Sequence, residues 1–247
     1  MKRFLLAAAI AVSSRAQLPA FEAASVKLNP AGGNPRFRAE PGRLTVSNMT
    51  LRALVRIAYD VRDLQISGGP PWFDGDRWDV SATAGREVSD SERLRMLQAL
   101  LEDRFQLKIH RDVKELPVYA LTVAKNGSKL TPNADGAPER IQLQAGGGLL
   151  TMMGQDVPLP KLADVLFGQV GRIVIDRTGL QGSFDYKLQW APDPANAPNI
   201  NGAKMESNPD GASIFTAVQE QLGLKLESTK GPVQILVIDS AEKAKEN

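Results

Sequence analysis

Two stretches of this chain, about 106 residues apart, carry the same order of strand, helix and turn patterns. In each stretch a strand is followed by a helix, two strands, a second helix and two further strands. Asp79 and Asp185 occupy matching places, each directly after an aromatic residue. The repeated features are core positions and turns, with no reactive side chain among them. The sequence therefore predicts an α+β protein of two similar βαββαββ modules, made by internal duplication, with two helices packed on small sheets in each.

The start signals of the helices support this interpretation. Asn48 precedes an apolar spacing of three and four residues and is predicted to cap the first helix. Asp156 has the corresponding position in the second module. Ser89 and Glu92 form a capping-box pattern at the start of the second helix of the first module. The two modules are therefore expected to use the same devices with different residues.

The later elements of each module also follow their apolar patterns. Phe215, Val218 and Leu222 are assigned to one apolar stripe of the last helix. Short strands are predicted where apolar and polar residues alternate, and a proline is expected only at the beginning of a strand. On this basis the strands that close the two modules are predicted as separate segments over residues 107–109, 117–123, 224–226 and 234–238.

Composition divides the chain into segments. Glycine-rich turns suggest a connector between the modules, and four prolines mark an insertion that we expect to be either a disordered loop or a binding loop. The polar C-terminus is expected to fray. The predicted boundaries are a signal peptide at 1–16, a first module with an N-terminal strand at 17–124, a linker at 125–148, a second module at 149–240 with the insertion at 191–212, and a frayed tail at 241–247.

The N-terminus has the features of a secretory signal peptide. Lys2 and Arg3 form a basic start, nine apolar residues follow, and Ala16 ends a small-residue cleavage pattern. The apolar run is too short for a spanning helix, which needs roughly 20 residues. The sequence contains no cysteine, so no lipid anchor on a processed cysteine is expected. A periplasmic or secreted protein without a membrane span in the mature chain is predicted.

The charge balance argues against nucleic acid as a partner. Removal of residues 1–16 takes away three basic residues and no acidic one, which leaves 27 basic against 28 acidic residues. A nucleic-acid-binding protein needs an excess of clustered basic residues to neutralise phosphates. The basic excess of the full chain therefore belongs to the export signal.

Few residues are suited to catalysis. His110 is the only histidine, and it lies on a predicted strand, where we expect an ordinary surface residue. There is no cysteine and no Gly-x-Ser-x-Gly nucleophile motif. Asp79 and Asp185 could act as paired carboxylates on a glycoside, but their matching positions favour a repeated turn or cap. No catalytic residue, metal or cofactor is predicted.

One loop offers a candidate binding feature. Trp72 and Phe73 follow two prolines in a segment that cannot be helical throughout. A large aromatic pair on a loop can anchor a partner protein, or it can fold back to cover the end of a small core. Trp72 and Phe73 are therefore the candidate partner-binding residues, with the covering role as the favoured interpretation.

Several motifs resemble a family of uncharacterised exported proteins. They are Phe-Glu-Ala-Ala-Ser-Val-Lys at 21–27, Pro-Trp at 71–72, Asp-Val at 79–80, and Ile-Asp-Arg-Thr-Gly-Leu-Gln-Gly-Ser-Phe-Asp-Tyr at 175–186, ending in Trp190. The mature chain resembles the soil-associated, Acidobacteria-type family, a domain of unknown function. Similar domains behind membrane metallopeptidases of the β-lactam-sensor type imply periplasmic sensing. In element order, each half faintly resembles the secretin and TonB short N-terminal domain, a module that works by protein contact.

These observations favour a non-enzymatic protein-interaction or signalling module in the periplasm or outside the cell. Its expected partner is another envelope protein, and the sequence identifies no small-molecule ligand. The alternative from a different class is a carboxylate-dependent hydrolase of cell-wall or plant polysaccharide that uses Asp79 and Asp185.

Overall fold

Alternating apolar and polar residues form most of the strands, and helices begin where the apolar period changes to three or four residues. The computed structural model describes residues 18–133, 138–195, 197–200 and 203–245. Over these residues it has a mixed α+β fold with four α-helices. The elements in chain order are β1 (Ala23–Leu28), β2 (Arg36–Glu40), β3 (Arg43–Thr50), α1 (Leu51–Ala58), β4 (Ile66–Gly68), β5 (Arg77–Thr83), α2 (Asp90–Phe105), β6 (Lys108–Val123), β7 (Thr131–Pro132), β8 (Arg140–Gly146), β9 (Leu149–Pro158), α3 (Leu159–Val170), β10 (Val174–Asp176), β11 (Ser183–Trp190), β12 (Asn199–Ile200), β13 (Ala203–Lys204), α4 (Ile214–Leu222) and β14 (Leu224–Ser240).

The chain divides into two units. Unit 1 contains the described residues up to Val113 together with those from Gln234 onwards, and unit 2 is the continuous segment Lys114–Val233. The divisions fall inside the long strands β6 and β14, so each of these strands contributes one end to each unit. The first module was expected to end at 124, whereas the first part of unit 1 ends at Val113. The second module was expected to cover 149–240, whereas the chain returns to unit 1 from Gln234 onwards.

The sheet of unit 1 is antiparallel, with strands in the order β1, β5, β3 and β2. In β5, Trp78, Val80 and Ala82 are buried, whereas Arg77 and Ser81 are exposed. This alternation gives the sheet one apolar face. The apolar faces of α1 and α2 belong to the same core, to which the C-terminal end of β14 adds two further side chains.

Unit 2 has an antiparallel sheet with strands in the order β7, β11, β9 and β8. Along β11, Tyr186, Leu188 and Trp190 are buried and alternate with exposed residues. Helices α3 and α4 complete the core of this unit with Leu162 and Val218 among their buried residues. In unit 2, β10 pairs in parallel with β6, and in unit 1, β4 pairs in parallel with β14.

Two helix starts differ from the prediction. The N-cap of α1 is Thr50, whose side chain accepts a hydrogen bond from the Ala53 N–H, and the N-cap of α3 is Pro158. Asn48 and Asp156 are not caps: their φ angles of 53° and 52° place them in the left-handed region. Asn and Asp tolerate that region better than other non-glycine residues. Asn48 and Asp156 therefore shape the strands that precede α1 and α3, and they do not cap these helices.

The closing strands are longer than predicted. Residues 107–109 and 117–123 were expected as separate strands, yet β6 runs unbroken through Pro117, and β14 likewise passes through Pro232. In unit 2, the Tyr119 N–H donates to the Ile173 carbonyl at 2.8 Å. Backbone groups two residues apart on a strand point to the same side, so the Pro117 nitrogen also faces the β10 side of β6. At the level of Pro117, however, β10 has not yet begun, because its first residue, Val174, pairs with Tyr119. The missing N–H of Pro117 therefore removes no hydrogen bond from that ladder.

Three expected irregular segments have defined structure. The predicted linker 125–148 contains β7 and β8, which pair within the sheet of unit 2, and the insertion 191–212 contains the paired strands β12 and β13. In the tail, the Glu242 N–H donates to the Phe105 carbonyl at 2.7 Å and Ala244 is buried, so residues 241–245 are held on the core of unit 1. The predicted signal peptide, residues 1–16, lies outside the described residues.

Helix length has a bearing on membrane insertion. Across the part of the chain that the structure describes, no helix is both long and apolar enough to span a bilayer.

Candidate functional site

The predicted aromatic pair packs on the core of unit 1. Phe73 is buried at 1% exposure, and Trp72 is half-buried against the same core. The Trp72 ring stacks on Phe105 with centroids 6.4 Å apart and meets Trp78 edge-on at 6.3 Å. Phe73 therefore offers no surface to a partner, and the two side chains have the covering arrangement that the sequence favoured.

Asp79 and Asp185 are the two carboxylates that the sequence places in matching positions. Asp79 Oδ1 accepts hydrogen bonds from the Asn48 N–H at 2.8 Å and from Asn29 Nδ2 at 2.9 Å. In β3, residues 47 and 48 lie opposite Asp79 alone, which is a β-bulge. The Asp79 side chain therefore satisfies the amide that the bulge leaves out of the ladder.

Asp185 has equivalent partners in unit 2. Its Oδ1 accepts hydrogen bonds from the Asp156 N–H and from Asn133 Nδ2, both at 2.8 Å. The bond from Asn133 and then the bond from the Asp156 amide lower the pKa of the Asp185 carboxyl below its ordinary value. Asp185 is therefore ionised at neutral pH and is poorly suited to donate a proton as a general acid.

The other polar groups that the sequence singled out also have local partners. His110 Nδ1 lies 2.8 Å from Asp239 Oδ1, and both side chains are about half exposed on unit 1. The segment that carries the Asp-x-Thr-Gly-Leu motif is a turn in which Asp176 Oδ1 accepts both the Thr178 N–H and the Thr178 hydroxyl. Over the described ranges, no group of three or more His, Asp or Glu side chains is placed to hold a metal ion.

A cleft of unit 2 has a volume of about 560 Å³. Four elements contribute to it: Tyr119 from β6, Val170 from α3, Trp190 at the end of β11 and Phe215 from the first turn of α4. Two parts of the proline-rich insertion, at 191–194 and 207–211, complete its lining. The sequence did not predict this cleft, although one of the two interpretations of the insertion was a binding loop.

Phe215 is the exposed aromatic ring among the described residues that line this cleft. Phe215 is 40% exposed, and its ring contacts Tyr119 edge to face with centroids 5.3 Å apart. The guanidinium of Arg172 lies 4.7 Å from the centroid of the Tyr119 ring and also donates to the Ser228 hydroxyl. Tyr119 therefore contacts both a cation and a second ring, and Phe215 is the large apolar side chain that stays exposed to solvent.

The predicted assignment of Phe215 to the helix core was wrong. Ile214, Ala217, Val218 and Leu222 are the buried residues of α4, whereas Phe215 is 40% exposed. Ile214 lies four positions before Val218 and Phe215 lies three before it, so both spacings fit an apolar stripe. Periodicity alone could not show which of these two neighbours is buried.

Backbone contacts hold the insertion at the cleft. The Ala191 N–H donates to the Ala212 carbonyl at 2.9 Å, which closes the insertion at its base. The Asn208 N–H donates to the Gly148 carbonyl, also at 2.9 Å, and the Ser207 hydroxyl donates to the Pro192 carbonyl at 2.6 Å. Residues 191–194 and 207–211 of the insertion therefore form walls of the cleft.

The lining of the cleft favours binding over catalysis. Tyr119 and Asp193 are the titratable groups among the described residues that line it. An acid and a base that exchange a proton with a substrate need to face each other within hydrogen-bond reach of the reacting atom. The cleft instead combines aromatic rings, of which Phe215 is exposed, with amide and hydroxyl groups, a lining suited to bury an apolar group and to orient its polar neighbours.

Comparison with known proteins places the chain in a family. Searches against curated proteins and against solved structures returned no match. A family model described as "Protein of unknown function (DUF3738)" matches residues 52–241, which is more than half of the chain. The matched segment includes the Asp-x-Thr-Gly-Leu turn and every lining residue of the cleft. The chain therefore belongs to the DUF3738 family.

Proposed function

We propose that this protein is an exported protein-interaction module without catalytic activity and that the cleft of unit 2 is its interaction site. The observation that carries the proposal is Phe215, a large aromatic side chain that is 40% exposed at the edge of a cleft of about 560 Å³. Aromatic anchors in pockets supply much of the free energy of protein–protein binding. A partner side chain placed against Phe215 would remove this apolar surface from water.

The local structure of α4 keeps Phe215 in this position. Ser213 Oγ accepts a hydrogen bond from the Thr216 N–H and so fixes the first turn of the helix. Buried Ile214 anchors the same turn to the core of unit 2. Because neither contact involves the Phe215 side chain, the ring is free to bind a partner without loss of core packing.

The polysaccharide hydrolase is the less supported alternative. A glycosidase needs one carboxyl that is protonated at working pH and a second carboxylate facing it across the substrate. The pKa of Asp185 is lowered, and both Asp79 and Asp185 accept two hydrogen bonds that maintain β-bulges. Their structural roles support the non-enzymatic proposal.

Export is part of the same proposal. The basic start, apolar run and small residues of segment 1–16 are typical of a signal peptide, and the remaining sequence has nearly balanced charge. A periplasmic or secreted location makes another envelope protein the expected partner, and it gives no reason to expect nucleic acid. The resemblance to soil-associated exported proteins agrees with this location.

We further propose that the two units derive from one duplicated module. Support comes from features that the units share: the sheet orders β1, β5, β3, β2 and β7, β11, β9, β8, and the left-handed residues Asn48 and Asp156, whose amides bind Asp79 and Asp185. Two helices beside small sheets in each unit also agree with the likeness to the secretin and TonB short N-terminal domain.

The exposed ring provides the test of the interaction site. Purified protein is immobilised and exposed to envelope extract of the producing bacterium, and captured proteins are identified by mass spectrometry. We expect Phe215→Ala to lose the partner that the unsubstituted protein captures. Val113→Ala, which removes a 57% exposed apolar side chain from unit 1, should retain that partner. Equal capture by both variants would show that the cleft is not the interaction site.

A hydrolysis screen tests the absence of catalysis. Purified protein is incubated with peptidoglycan and plant polysaccharides, and released reducing sugars are measured. We expect no turnover. Turnover that is lost in a folded Asp185→Asn variant would refute the non-enzymatic proposal and support the hydrolase.

A further inference from the structure

The cleft at the start of α4 continues along the helix. Phe215 also lines a second cavity of about 400 Å³, together with Gln219 and Lys225. Gln219 and Lys225 in turn line a third cavity of about 460 Å³ at the other end of the helix. Because neighbouring cavities share lining residues, they lie next to one another along α4, and we call the three together the α4 groove.

The two ends of the α4 groove differ in charge. Lys125, Lys129 and Lys225 line the cavity at the C-terminal end of α4, where Glu220 is the acidic residue. At the Phe215 end, the described lining residues include Asp193 and no lysine or arginine. The α4 groove is therefore aromatic at one end and basic at the other.

The three lysines differ in the partners that their ammonium groups contact. Lys129 Nζ donates to the Glu220 carbonyl at 2.6 Å, near the negative end of the helix dipole. Lys225 Nζ lies 2.9 Å from Glu227 Oε1, and both side chains are about half exposed. Exposed ion pairs contribute little free energy, so Lys225 can exchange this partner for a ligand carboxylate. Lys125 is exposed at the same end.

The length of the helix sets the spacing of the two ends. Gly223 follows Phe215 by eight residues, which corresponds to about 12 Å along an α-helix. An extended peptide advances about 3.3 Å per residue, so about four residues cover this distance. A linear ligand in the α4 groove would therefore present its apolar and acidic groups about four residues apart.

We propose that the α4 groove binds an extended peptide segment of a partner protein that carries a large apolar side chain and, about four residues away, an acidic side chain. The apolar side chain packs against Phe215 and Tyr119, and the acidic side chain faces Lys125 and Lys225. This inference rests on the proposed function and identifies the chemistry of its partner. A uniformly anionic polysaccharide fits less well, because it would also place a carboxylate beside Asp193.

Synthetic peptides test the spacing. The probes are fluorescein-labelled Gly/Ser dodecapeptides with one Leu and one Glu-Glu pair separated by one, four or seven residues, and fluorescence anisotropy measures their binding at low ionic strength. We expect the four-residue spacing to bind at least about fivefold more tightly than the others, a difference of about 1 kcal/mol. Binding should weaken as salt is added, because salt screens the lysine charges.

Matched variants test the contacts. Phe215→Ala and the double variant Lys125→Gln/Lys225→Gln should each weaken binding of the four-residue probe at least about fivefold. Lys230→Gln is the control, since Lys230 is exposed on the same strand as Lys225 and lies outside the α4 groove. Thermal unfolding confirms that each variant is folded, and Phe215→Leu, which retains apolar bulk, should restore most of the affinity.

Several results would overturn the inference. Equal affinity for the three spacings, or equal effects of the double variant and Lys230→Gln, would exclude the proposed arrangement of contacts. Absence of binding to every probe, with capture of an envelope protein still dependent on Phe215, would refute the peptide motif and leave the interaction module intact. Binding of anionic oligosaccharides through the same residues would identify a glycan as the occupant. Capture of envelope proteins that is the same with and without the Phe215 side chain would instead refute the proposed function.

Discussion

At the scale of single residues, Asp79 and Asp185 show how a carboxylate can be structural while resembling a catalytic group. Each accepts the amide of a left-handed residue at a β-bulge and the side-chain amide of an asparagine. Buried amides without a partner are costly, and Asn48 is only 6% exposed. The carboxylates therefore stabilise an irregularity in the strand that leads into a helix.

Asp79→Ala should destabilise the protein. The substitution leaves the Asn48 amide without its acceptor, and an unsatisfied buried donor costs about 1–3 kcal/mol. The free energy of unfolding from urea titration is expected to fall by that amount. Asp79→Asn, which keeps an oxygen acceptor, should lose less. An unchanged free energy of unfolding for Asp79→Ala would contradict the structural role.

Asp185 should make stability depend on pH in acid. Hydrogen bonds lower its pKa in the folded state below the ordinary value of 3.8, so its stabilising contribution is complete above that value. The contribution is lost as the pH falls below 3.8 through the lower folded-state pKa. Asp185→Asn should therefore be less stable than the unsubstituted protein at pH 6, and this difference should shrink at pH 3. Urea titration at both pH values measures it, with the exposed Glu115→Gln as control.

At the scale of elements, the sequence predicted types better than ends. The Ser89 cap of α2 was confirmed, because its side chain accepts the Glu92 N–H, whereas the Glu92 carboxylate binds Arg86. In strand β5 every second residue is buried, which is the alternation from which strands were predicted. The caps of α1 and α3 were wrong because Asn48 and Asp156 suit both a helix cap and a left-handed strand residue. Contacts across the sheet decide between these roles, and a local pattern does not contain them.

Thr50 provides a test of how α1 begins. Its hydroxyl accepts the Ala53 N–H at 3.2 Å, so Thr50→Ala should lower the free energy of unfolding by about 1 kcal/mol. Thr50→Ser retains the acceptor and should have a much smaller effect. Chemical denaturation of the two variants measures the difference. Equal destabilisation by alanine and serine would show that the hydroxyl does not cap α1.

At the scale of the whole molecule, the path of the chain was the feature that the sequence could not predict. Apolar periodicity located most strands and helices, but it does not state which strands become neighbours. Unit 1 takes the end of β14 from the far end of the sequence, and the expected linker supplies two strands of unit 2. The cleft was missed for the same reason, because its residues come from β6, α3, β11 and α4.

Leu236→Ala should destabilise unit 1. Leu236 is 1% exposed in the core of this unit, although it lies more than 120 residues after Val113. Removal of a buried leucine side chain costs about 2–5 kcal/mol. Limited proteolysis should release fragments from residues 18–113 sooner than in the unsubstituted protein. The exposed Gln234→Ala on the same strand is the control, and identical digestion of both variants would contradict the contribution of β14 to this core.

The division of unit 1 between the two ends of the sequence also sets an order in time. A chain made from its N-terminus produces Lys114–Val233 between the two parts of unit 1. At about 5–20 residues per second, those 120 residues take roughly 6–24 s. During that interval the first part lacks Leu236 and Ile238, so its core stays incomplete. Unit 1 would therefore complete its fold only after the C-terminal end of β14 has been made, although its first strands are among the first parts of the chain to appear.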